Sequence, residues 1–125
     1  MRSRTATVSI LLASLWICGC GSAEMAPVKG RVMCNGKPVR EAAVTFSPVR
    51  QSDKDLEPGR PGTGFTDEQG LFVLSTHKNY DGAQVGEHNV TVVLDDTNPA
   101  RCKRTLGVKL EVKPGDNEFD LEMNQ

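Results

Sequence analysis

The sequence predicts an all-β protein: a seven-stranded antiparallel β-sandwich preceded by a signal peptide. Three observations carry the prediction. Past position 27, apolar residues recur at every second place, the period of a strand with one buried face. Clusters of Gly, Asn, Asp and Pro separate these runs, as turn signals do in antiparallel sandwiches. No segment beyond Cys20 carries a helical period, and roughly a hundred residues is an ordinary size for such a domain.

The 125-residue chain opens with Arg2 and Arg4, followed by an apolar run from Val8 to Ile17. About ten apolar residues are too few to span a bilayer and suit a signal h-region. The alternative is a short N-terminal core helix, but no helix cap precedes the run and it ends in Cys-Gly-Cys-Gly-Ser. Ile17-Cys18-Gly19-Cys20 resembles the bacterial lipobox, an aliphatic residue and two small ones before a cysteine. The resemblance implies lipid transfer to the Cys20 thiol, cleavage before Cys20 and acylation of the new amine. Cys18 departs from the Ala, Ser or Thr usual at its place. Several acyl chains anchor stably where a single one binds marginally. Gly21, rather than Asp, implies outer-membrane sorting by resemblance to rules known from other bacteria. Residues 1–19 are therefore expected to leave as a signal peptide, 20–26 to form a lipidated tether and 27–125 to fold. The expected location is the membrane, on its periplasmic or outer-membrane face, through lipid on Cys20.

Each strand follows from its own pattern. Val28, Gly30 and Val32 alternate with Lys29, Arg31 and Met33. Asn35-Gly36-Lys37-Pro38 is a turn, where Gly36 is free to take a positive φ. Val44 and Phe46 share one face of a second strand, and the polar stretch Val49 to Gly62 reads as a surface loop. Gly64 to Thr66 reads as a third strand, and Asp67-Glu68-Gln69-Gly70 as the hairpin loop after it. Phe72 and Leu74 mark the fourth strand. His88, Val90, Val92 and Leu94 mark the fifth, with loops expected over Thr76 to Gly86 and Asp95 to Thr105. Val108, Leu110 and Val112 mark the sixth. After a turn at Pro114 to Asn117, Phe119, Leu121 and Met123 mark the seventh. The expected core is Val32, Val44, Phe46, Phe72, Leu74, Val90, Val92, Leu110, Phe119 and Leu121.

Several of these pieces, in this order, resemble a carboxypeptidase regulatory-like domain. They are Val28-Lys29-Gly30-Arg31-Val32, Asn35-Gly36-Lys37-Pro38-Val39, the Thr66 to Leu74 hairpin with its Thr-Asp-x-x-Gly-x-Phe pattern, and Gly86-Glu87-His88-Asn89-Val90. With the lipobox, the chain looks like the small secreted lipoproteins of planctomycete-type bacteria. The resemblance implies a prealbumin-like Greek-key sandwich, usually without catalysis, serving as an accessory, spacer or binding module. Transthyretin-like hydrolases share the broad fold but end in a Tyr-Arg-Gly-Ser type tail. Glu122-Met123-Asn124-Gln125 does not match that tail.

The charge and side-chain inventory narrows the chemistry. The 15 Lys and Arg, less Arg2 and Arg4, leave 13 against 16 Asp and Glu, a net of −3. With no basic stripe, this balance argues against nucleic acid. Once Cys18 leaves and Cys20 is lipidated, Cys34 and Cys102 remain in a compartment that permits disulfides. If every connection reverses the chain, both fall at one end of the sandwich, which leaves open a disulfide or two free thiols. His77 and His88 lack the close ligand spacing of a zinc motif. His88 shares parity with Val90 and reads either as a packed, hydrogen-bonded side chain or as the centre of a hydrolase. Asp53, Asp55 and Glu57 alternate with Lys54, a solvated loop more readily than the six or more oxygens a hard cation needs. No nucleophile elbow, zincin motif or phosphate loop is present. Trp16 leaves with the signal and Tyr80 is the single Tyr, poor equipment for an aromatic sugar platform. The expectation is a non-catalytic, membrane-anchored structural or accessory module without cofactor or metal. The alternatives are a carbohydrate- or protein-binding module using loops at one sandwich end, with an envelope protein or glycan as partner, and a hydrolase built around His88.

Overall fold

The computed structural model describes residues 24–50 and 59–124. Cys20, the signal segment 1–19 and the acidic residues Asp53, Asp55 and Glu57 lie outside the described residues. The described chain is all-β, with no helix among the described residues. Its strands are β1 (Met25–Ala26), β2 (Val28–Cys34), β3 (Lys37–Pro38), β4 (Ala43–Pro48), β5 (Gly62–Phe65), β6 (Leu71–Val73), β7 (Ala83–Gln84), β8 (Gly86–Val93), β9 (Thr105–Val112) and β10 (Asn117–Met123).

Two four-stranded sheets form the body. In one, β2 lies between β10 on one side and β3 and β6 on the other. In the second the order is β5-β4-β8-β9. A third, two-stranded sheet pairs β1 with β7. The large sheets bury one face each against the other, giving a sandwich-like arrangement. Phe46 of β4 meets Phe72 of β6 at a ring separation of 6.5 Å and Phe119 of β10 at 5.7 Å, within the range of favourable aromatic pairs. Val28, Val32, Val44, Phe46, Phe72, Leu74, Val90, Val92 and Leu121 are all buried. Alternation is clearest in β2, where Val28, Gly30 and Val32 face in and Lys29 and Arg31 face out. Gly30 is required there, because a Cβ would lie 2.6 Å from the Phe72 ring.

The short strands β3 and β7 form inside the expected Asn35–Pro38 turn and Thr76–Gly86 loop, and the structure departs from the sequence expectations at four further places. The expected antiparallel sandwich contains one parallel pair: β10 runs alongside β2 in register from Asn117↔Val28 to Met123↔Cys34. The cause is parity. The seven strands of three or more residues reverse direction at each connection, so the first and the last run the same way, and here they are neighbours. Second, the tether expected over 20–26 is structured at its end. Met25 and Ala26 pair with Gln84 and Ala83, and Ala26 is buried. A two-residue strand is too short to show a period. Third, the third strand is Gly62–Phe65 rather than 64–66, and Phe65 is 74% exposed. Fourth, Leu110 and Phe119 are only half-buried. They sit on β9 and β10, the edge strands of their sheets, where no further strand covers them.

Candidate functional site

The functional features gather at the two ends of the sandwich. β2 runs from one end to the other, about 20 Å at ~3.3 Å per residue. The described chain enters at Met25, just before the start of β2. Cys34 closes the strand at the far end.

At the far end, Asn35 and Gly36 join β2 to β3 with φ of 52° and 77°. Positive φ at both central residues is the type I′ geometry that Asn-Gly favours. Cys34 is bonded to Cys102 as a disulfide with the Cα atoms 6.3 Å apart, within the span such a bond requires. The bridge ties β2 to the long loop between β8 and β9. Asn98, buried in that loop, donates through Nδ2 to the Arg40 carbonyl at 2.8 Å and accepts from the Ala100 amide at 3.0 Å. Arg104 Nη1 donates to the Asn98 carbonyl at 3.1 Å. Asp95 accepts from the Thr97 amide and hydroxyl, and those donors outweigh a small desolvation effect to lower its pKa. Between the pinned loops lies a groove of about 500 Å³. Its lining includes Lys37, Arg40 and Arg101 against the single carboxylate of Glu68. Neighbouring Asp67 is occupied otherwise: its Oδ1 accepts from the Gln69 and Leu71 amides, each at 2.9 Å.

At the entry end, Asp81 organises the loop before β7. Its carboxylate accepts from the amides of Thr76 at 2.7 Å and of His77 and Lys78 at 3.0 Å. Desolvation raises the Asp81 pKa, but these three donors, with His77 close by, outweigh it and hold the group below its ordinary value. The loop carries Tyr80 at its tip with φ of 61°, 71% exposed, and the Tyr80 amide donates to Ser75 Oγ at 2.8 Å. A second groove, about 460 Å³, is lined here by Met25, Arg60, Thr76, His77, Lys78, Asp81 and Gln84. Buried Asn117 closes the same end. It accepts from the Lys113 amide and donates to the carbonyls of Pro27, Lys113 and Gly115.

His88 lies in neither groove. It is completely buried on β8, 5.8 Å from the Phe46 ring. Its Nε2 donates to the Gln84 carbonyl at 2.6 Å, and Nδ1 has no hydrogen-bond partner. No hydroxyl or thiol is bonded to Nδ1. His77 is exposed in the Asp81 loop. Among the described residues, no three His, Cys, Asp or Glu side chains come together as a metal site. Sequence reasoning missed Asn98, Asn117 and Asp81 as loop-holding residues. The signal for Asn98 and Asp81 is a small polar residue just before Pro99 and Gly82, and for Asn117 its place at the end of the Pro114 to Asn117 turn, while Asn98 and Asn117 also find partners 58 and 90 residues away.

No protein-family model matches the chain, and no curated protein matches it. Solved structures do resemble it. A DUF3823 family protein from Parabacteroides merdae matches with a TM-score of 0.51 at 19% identity, over 82% of this chain and 47% of that one. The chain therefore spans about half the length of that protein. The dioxygenase domain of a dioxygenase carbohydrate-binding protein fusion, from a cellulolytic Streptomyces, matches with a TM-score of 0.53 at 14% identity, over 86% of this chain and 84% of that one. Identities this low show the fold alone. The class so defined is a small all-β, sandwich-like domain.

Proposed function

We propose that the chain is a non-catalytic lipoprotein module of the cell envelope, with residues 1–19 as its signal and lipid on Cys20 as its anchor. In the finer fold assignment it is a seven-stranded, prealbumin-like Greek-key sandwich. The observation that carries the proposal is the separation of the two ends. The chain enters the fold at Met25, five positions after Cys20, and the groove lined by Lys37, Arg40 and Arg101 lies at the opposite end. An anchor at Cys20 therefore holds the Met25 end near the membrane and leaves the far end facing away from it. His88 supports the non-catalytic assignment, since its ring is sealed among Phe46 and the strands beside it. Mass spectrometry of the membrane fraction tests the anchor. Wild-type protein should begin at an acylated Cys20, and Cys20→Ser should accumulate as an unlipidated, uncleaved precursor. Normal processing of that variant would overturn the proposal.

A second reading, a carbohydrate- or protein-binding module, is favoured by the far-end groove. Lys37, Arg40 and Arg101 line it against one carboxylate, Glu68, so its charge suits an anionic partner.

A further inference from the structure

We propose that the entry end of the sandwich is a membrane-docking surface, seated on the phosphate-bearing face of the bilayer through Tyr80, Arg60 and Lys78. The proposal rests on the lipid anchor at Cys20 and goes beyond it, because an anchor alone leaves the domain free to tumble.

Reach is the first argument. Four residue steps separate Cys20 from Glu24, the first described residue. Fully extended, they span at most about 14 Å. The entry end is therefore held within that distance of the lipid, at a high local concentration relative to the bilayer.

Chemistry is the second. Tyr80 is 71% exposed, and Tyr is enriched where membrane meets water, because its ring is apolar and its hydroxyl is wet. Its φ of 61° is a left-handed conformation unfavourable to an aromatic residue. The Asp81 carboxylate holds the loop in that shape through three backbone amides. Arg60, His77 and Lys78 line the groove beside the loop. The one carboxylate in that lining, Asp81, already accepts those three amides. Basic side chains so placed attract anionic headgroups.

The test uses the lipidated full chain in phosphatidylglycerol–phosphatidylethanolamine vesicles carrying a spin-labelled lipid that quenches near the headgroups. Trp16 leaves with the signal, so Tyr80, the single Tyr, reports alone. Flotation and the mass of the protein are read on the same sample. Floated, lipidated protein should lose most of its Tyr80 emission. Arg60→Gln and Lys78→Gln should each shift the docked-to-undocked ratio about fivefold toward the undocked form, with emission recovering in step. Floated, lipidated protein with unquenched Tyr80 would overturn the docking surface and leave the anchor standing. Quenching unchanged in both variants would overturn it as well. Protein that carries no lipid on Cys20 would overturn the anchor and the surface together.

Discussion

At the Cys34 end, a sulfur–sulfur bond ties β2 to a loop 68 residues away in the chain, whereas at the Met25 end Asp81 and Asn117 shape their own loops through backbone groups a few residues away, and Asn117 alone of the two reaches a distant group, the Pro27 carbonyl. The covalent tie acts on the unfolded chain as well as the folded one. The polar ties act only once the fold is formed, and they depend on burial and on charge. The two ends should therefore respond to different perturbations.

The largest expected effect is loss of the disulfide. Replacing Cys34 and Cys102 together by Ala should cost about 4 kcal/mol in the chain-entropy model for a loop this long, measured by urea unfolding. Hydrogen exchange sharpens the comparison. Far-end amides, such as Leu94 bonded to the Arg104 carbonyl, should lose more protection than Asn117 bonded to the Pro27 carbonyl. Equal loss at both ends would mean that the ends are not held separately.

Asn117→Ala should cost less, about 1 kcal/mol, because it removes part-buried hydrogen bonds to the backbone of Pro27, Lys113 and Gly115. Its effect should be the same in oxidised and reduced protein. A cost that vanishes on reduction would break the comparison.

The smallest effect belongs to Asp81→Asn, and it depends on pH. The native pKa of Asp81 lies below its ordinary value of 3.8. A lowered native pKa favours the folded state only while the group is ionised. Its contribution is full well above pH 3.8 and fades as the pH falls through that value toward the native one. The melting temperatures of wild type and variant should differ near neutral pH and converge in acid, at about the native pKa and below. A constant difference would exclude the Asp81 charge as the cause.

Much of the fold is legible in the sequence because β2, β4, β8 and β10 alternate, and alternation is what one-sided burial demands. Asn35-Gly36 and Asp67 to Gly70 are legible for a local reason: each turn is made by its own residues. The polar ties are not. Asn98 reaches the Arg40 carbonyl and Asn117, beside its local bonds to Lys113 and Gly115, reaches the Pro27 carbonyl, and no local pattern announces a distant acceptor. The β1–β7 pair escapes notice because two residues cannot display a period. Of the candidate site residues, His88 is legible as an inward-facing side chain, while the groove linings come from loops that only the folded topology brings together.

The parallel β2–β10 pair has a mechanical consequence. Glu24 lies at one end of the pair and Asn124 at the other, since Met123 stands beside Cys34. A pull between those two points slides β10 along β2 and loads the hydrogen bonds of the whole register at once. Strands pulled from the same end would instead open one bond at a time. The pairing that parity imposes on the chain is thus also the one that best resists tension along the axis from entry end to far end.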